Sequence, residues 1–179
     1  STQQARAFTA TQVARLSDTA VAAFDATTFG QLTTTQIKAL TTTQIRAFEA
    51  MDFSALSSTQ LSALTTTQIS SLTVTQIRGL TAFGLGSLST EQVAALLPSQ
   101  IAGLTTTQVK GLTSTQIGSL STQQVAALTM SEIGAMSASQ IGGFSETQLG
   151  QFTSAQIAGL STLAISNLTS TQWDALSIT

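Results

Sequence analysis

The sequence predicts an all-α protein, a superhelical solenoid of about twenty-two very short helices that runs continuously over residues 1–179 as one unit. Three observations point there. An eight-residue repeat fills the chain without an insertion. Each repeat spells out the start of a helix, and the few charges are sorted as a helix dipole sorts them.

The repeat is read in the order of its columns. Leu32, Leu40, Phe48, Leu56, Leu64 and Leu72 fall in one column, which runs back to Phe8 and on to Leu176. Ser or Thr follows nearly every member, as at Thr33, Thr41, Ser57 and Thr65. These residues are N-caps, whose hydroxyls accept the amide three positions on. Gln36, Gln44, Gln60 and Gln68 occupy that N3 position, where the side chain reaches back to the N-cap amide and closes a capping box. Ile37, Ile45, Phe53, Leu61 and Ile69 form a second apolar column at N4, which pairs with the Leu before the cap as a hydrophobic staple. Small residues such as Ala39, Ala63, Gly79, Gly103 and Gly111 precede the next Leu, and we expect them to let adjacent helices meet closely at a corner.

The register has independent support. Pro98 falls at N1, the helical position that needs no N–H. Asp18, Asp25, Glu49, Asp52, Glu91, Glu132 and Glu146 lie between N-cap and N3, whereas Arg6, Lys38, Arg46, Arg78 and Lys110 follow N4 and Arg15 lies one place later. Only Asp174 departs from the pattern. One continuous helix fits poorly, since an eight-residue period drifts about 80° per repeat and wraps the apolar residues around the axis. A β-solenoid is the alternative, because Thr and Ile favour strands. Helices this short are unstable alone, so stacking must hold them.

Composition excludes several functions. There is no Cys, His or Tyr, which removes disulfides, Cys/His metal sites and histidine-based acid–base chemistry. Charged residues make up 8% of the chain and the net charge is −2, so no basic footprint for nucleic acid exists. No apolar stretch is long enough to span a bilayer as a helix. Glu49 and Asp52 are the closest acidic pair, yet both sit in capping columns. No catalytic residue, cofactor site or metal site is predicted, and the chain is not expected to be an enzyme. Asn167-Leu168-Thr169 is formally a glycosylation sequon.

Leu32–Phe48 and Leu104–Leu120 carry a pattern, LTTTQIxALTTTQI, that resembles the Thr/Gln-rich octad arrays of very large bacterial secreted or surface proteins, often labelled adhesin-like or heme-utilisation-like. The resemblance implies an extracellular or cell-surface structural array and brings no catalytic or binding residue with it. The expected function is a rod, stalk or filament-forming subunit. The alternatives are an ice-binding protein, for which Thr35, Thr43, Thr59, Thr67 and Thr75 at N2 would supply the array, and an adhesive ligand-binding module. Neither end carries a distinct polar capping sequence, so the chain is expected to be a piece of a longer array or a subunit covered by copies of itself, end to end or laterally. Met51, Phe83, Met130 and Leu163 interrupt positions that are otherwise polar, and they are the candidate self-association contacts.

Overall fold

Each octad of the computed structural model folds as its capping residues dictate. Residues 2–176 are described, and among them the chain forms twenty-two helices, α1 to α22, with no strand. One face of the molecule stacks α1 (Thr2–Ala7), α4 (Ala26–Phe29), α7 (Ala50–Ser54), α10 (Val74–Gly79), α13 (Pro98–Ile101), α16 (Thr122–Ala126), α19 (Glu146–Leu149) and α22 (Ser170–Leu176). A second stacks α2 (Ala10–Ala14), α5 (Thr34–Ala39), α8 (Ser58–Ala63), α11 (Ala82–Gly86), α14 (Thr106–Val109), α17 (Met130–Ala135) and α20 (Ser154–Ala158). The third stacks α3 (Asp18–Ala22), α6 (Thr42–Ala47), α9 (Thr66–Ser71), α12 (Thr90–Ala94), α15 (Ser114–Gly118), α18 (Ala138–Ile141) and α21 (Thr162–Ser166). Every helix therefore rests on the one three octads away, and three helices make one coil. At about 10 Å between stacked helices, seven coils give a rod of roughly 70 Å.

The helices run from four to seven residues, because the cap begins each one and the corner ends it. Thr33 shows the device. Its hydroxyl accepts the Gln36 N–H at 3.2 Å, and its own N–H donates to Gln36 Oε1 at 2.7 Å. Pro98 opens α13 at N1, as its ring requires. Among the described residues no φ is positive, at glycine or elsewhere, so the corners need no left-handed residue.

Both apolar columns point inward. From Leu32 to Leu160 the Leu column is buried, and from Val13 to Leu149 the N4 column is buried. Phe29 and Phe48 stack with centroids 3.8 Å apart, Phe53 meets Phe29 edge-on at 5.5 Å, and Phe144 meets Phe152 edge-on at 5.1 Å. Each fully buried Leu, Ile or Phe contributes about 1.5–3 kcal/mol, which is what holds helices too short to stand alone. The aromatic at N4 of the last octad differs from its column: Trp173 is 52% exposed, since no coil packs against it among the described residues.

One expectation is corrected. The small residue before each Leu does not ease a corner between consecutive helices. It faces the N1 backbone of the helix one coil back, 29 positions earlier. A Cβ on Gly79 would lie 1.8 Å from the Ala50 carbonyl oxygen, and one on Gly111 would lie 2.1 Å from that of Ala82. Coil-to-coil contact sets the size limit there. The last residues of the sequence, where another octad begins, lie outside the described part of the chain.

Candidate functional site

The seam between successive coils is where this fold places its buried polar chemistry. Among the described residues every buried polar or charged side chain is an N3 residue: fourteen glutamines, Asp52 and Glu132. In the capping box the glutamine Oε1 is used up within its own octad. Its Nε2 is free to turn outward, and it crosses to the coil before. Gln108 Nε2 donates to the Ile77 carbonyl at 2.7 Å and to the Leu80 carbonyl at 2.8 Å. Gln76 does the same to Ile45 at 2.9 Å and Phe48 at 2.7 Å. The acceptors are last-turn carbonyls, groups that an α-helix leaves without an internal partner. One carboxamide thus serves the start of its own helix and the end of another.

From α5 onward the seam has eighteen such rungs, and fourteen carry this clamp. Among the described residues, no buried side-chain nitrogen or oxygen is left without a hydrogen-bond partner. Arginine adds a second link in the opposite direction. Arg78 Nε donates to the Gly103 carbonyl at 2.7 Å, and Arg6 Nε to that of Gln31 at 3.1 Å, each one coil ahead.

Four rungs lack the clamp: Asp52, Gly84, Glu132 and Ala164 stand where the glutamine would be. Glu132 accepts the Thr129 N–H at 2.6 Å and has no N–H to pass across the seam. Asp52 accepts the Glu49 N–H at 2.7 Å. Burial pushes the Asp52 carboxyl above the usual carboxylate range, against the opposing pull of that N–H, and the charges of Glu49 and Asp25 push it further up. Asp25 is held below the usual range by hydrogen bonds from the Thr28 hydroxyl and backbone N–H, and Glu91 by those from the Ser89 hydroxyl and its own N–H.

The candidate contact residues coincide with these gaps. Met51, Phe83, Met130 and Leu163 are 75%, 78%, 52% and 66% exposed. They sit at N1 or N2 of α7, α11, α17 and α21, the four helices from α5 onward without the glutamine. The structure does not gather them into one patch. Met51 lies on the first face, Leu163 on the third, and Phe83 and Met130 share the second.

These coils are similar to a described repeat. The ALTTAQ repeat family matches residues 45–82, 75–106 and 100–130, the middle of the rod. No curated protein matches the chain. The ALTTAQ-like stretch holds two of the unclamped rungs, Asp52 and Gly84, and ends at Met130.

The remaining surface is plain. Its grooves are open and run between coils, as in the one lined by Thr34, Thr35, Lys38, Ser62 and Thr65. Among the described residues, no three His, Cys, Asp or Glu side chains come together as ligands, and no helix is long and apolar enough to cross a membrane. Threonine at N2 is exposed, but its columns are short. Thr11, Thr35 and Thr59 are interrupted by Phe83, and Thr19, Thr43 and Thr67 by Glu91.

The clamp is what sequence reasoning missed. A capping box needs only an acceptor at N3, and glutamate supplies one. The signal was the near-uniform choice of glutamine over glutamate in that column, which asks for a donor as well.

Proposed function

We propose that this chain is a non-catalytic structural rod, working outside the cell or at its surface and associating with copies of itself. The observation that carries the reading is the use of buried polar groups. Among the described residues all of them lie at N3, where they cap helices and, in the fourteen glutamines, join coils, so the interior chemistry is spent on holding a rod together. The ALTTAQ-like repeat supports the structural class. Low charge supports association, since a net charge of −2 opposes close packing of rods only weakly. Sedimentation over a wide concentration range, with electron microscopy of the same material, tests it. Concentration-dependent growth into rods or filaments supports the reading. A strictly monomeric particle at millimolar concentration refutes self-association and leaves a stalk.

A further inference from the structure

The four unclamped rungs are spaced symmetrically. Counted in octads along the chain, they are four, six and four apart: Met51, Phe83, Met130 and Leu163 fall in the seventh, eleventh, seventeenth and twenty-first. The centre of that pattern is the fourteenth octad, whose exposed N2 residue is Thr107. Octads three before and three after the fourteenth lie one coil away on the same face, so Phe83 and Met130 stand at equal distances on either side of Thr107, whereas Met51 and Leu163 lie on the other two faces.

In a two-fold contact between identical chains residue i of one copy meets j of the other while j meets i, so two apolar side chains on one face pair reciprocally. Resting on the self-association reading above, we infer that two copies pair side by side and antiparallel across the face formed by α11, α14 and α17. In that pair, Phe83 of each copy meets the partner's Met130, and Thr107 lies on the axis.

The chemistry of the face fits this occupant. Phe83 stands 78% exposed beside an open groove between α11 and α14, floored by Ala82, Gly86 and Gly111. The floor is low because those backbones nearly touch: a Cβ on Gly86 would lie 2.3 Å from the Gly111 carbonyl oxygen. A methionine thioether is flexible enough to enter such a groove and packs favourably against an aromatic ring. Glu132 is buried, so the exposed charge nearest these three helices is Lys110, just past the end of α14. Its long stem lets the ammonium reach solvent beside the contact. Phe83 and Met130 lie two coils apart, about 20 Å, so each pair has two equivalent anchor points. With the axis at Thr107 the copies overlap for between five and six coils. A face about 10 Å wide then buries on the order of 1,000 Å² in total, at the lower edge for a specific interface. The pair is accordingly weak and forms at high concentration.

Because the chain has no cysteine, single introduced thiols report the geometry cleanly. The test combines sedimentation equilibrium of the 179-residue chain with disulfide trapping, and far-UV circular dichroism confirms that each variant is folded. The expected results are a dimer at high concentration and a dissociation constant raised about tenfold or more in Phe83→Ser/Met130→Ser, as loss of buried anchors gives. Thr107→Cys should cross-link to itself faster than Thr115→Cys on the third face. Mixed Phe83→Cys and Met130→Cys chains should cross-link to each other in preference to themselves. A dimer that survives the double serine variant, or equal trapping at positions 107 and 115, overturns the lateral pair while self-association stands. A wild-type chain that stays monomeric throughout overturns both.

Discussion

Gln108→Glu tests the double role of the N3 glutamine. The substitution keeps an acceptor for the Thr105 N–H, which now lies 3.0 Å from Gln108 Oε1, and it removes the two bonds from Nε2 to Ile77 and Leu80. The Ile77 carbonyl retains the Leu80 N–H at 3.1 Å, so its loss is an ordinary hydrogen bond, about 1 kcal/mol. The Leu80 carbonyl loses its Nε2 partner, worth about 1–3 kcal/mol if it is left buried and unpaired. With a buried carboxylate turned toward two carbonyl oxygens, the total is roughly 3 kcal/mol at neutral pH. Arrays of this type do not melt as one unit, so the assay is local: exchange of the Val109 and Leu112 amides, bonded to Thr105 and Val109. Both should exchange ~100-fold faster. Acidification should recover part of the loss, because the protonated acid donates one bond across the seam. Thr105→Ala removes only the cap and should cost about 1 kcal/mol. If Thr105→Ala proved the more damaging change, the clamp would be idle and the reasoning wrong.

Further outcomes follow from the same geometry. Ala164→Gln supplies the missing clamp toward the Ile133 and Met136 carbonyls and should add about 1–2 kcal/mol to urea stability; no gain would show that the gap is not a weak rung. Gly79→Ala drives a Cβ into the Ala50 carbonyl and should cost about 1–3 kcal/mol, read from thermal melts. Ile69→Asp, at a fully buried position, should cost several kcal/mol, whereas exposed Thr67→Asp should stay within about 0.5 kcal/mol; equal melts would refute the register. Asp52 binds its proton more readily folded than unfolded, so stability rises as pH falls from 7 through its raised pKa toward 3.8 and gains nothing further below that. Asn at position 52 should flatten that rise. Asp25 and Glu91 act in the opposite sense, losing their contribution only as pH falls through lowered pKa values below 3.8 and 4.5.

Much of the fold was legible because its signals are local. Thr33, Gln36 and Ile37 specify a helix start within five residues, and Pro98 and the acids fix the register independently of packing. The number of helices per coil was not legible, since each octad looks the same and nothing in the sequence varies with a period of three octads. The role of Gly79 and Gly111 was misread for the same reason: their neighbours are 29 positions away, across the seam. Exposure of Met51, Phe83, Met130 and Leu163 could be read from their columns. Their relation to one another could not, because it depends on which octads share a face.

Among the described residues no corner is left-handed, and this has an evolutionary consequence. The backbone of any octad can follow that of any other, so copy number is free to change by slippage or unequal recombination in whole octads. One added copy lengthens the rod by a third of a coil and turns everything beyond it by about 120°, with every bond across the seam re-formed in register. Length is thus inherited cheaply, while direction is not. A side chain beyond the insertion would face a different neighbour, and only changes of three octads, or multiples of three, would preserve which surfaces look the same way.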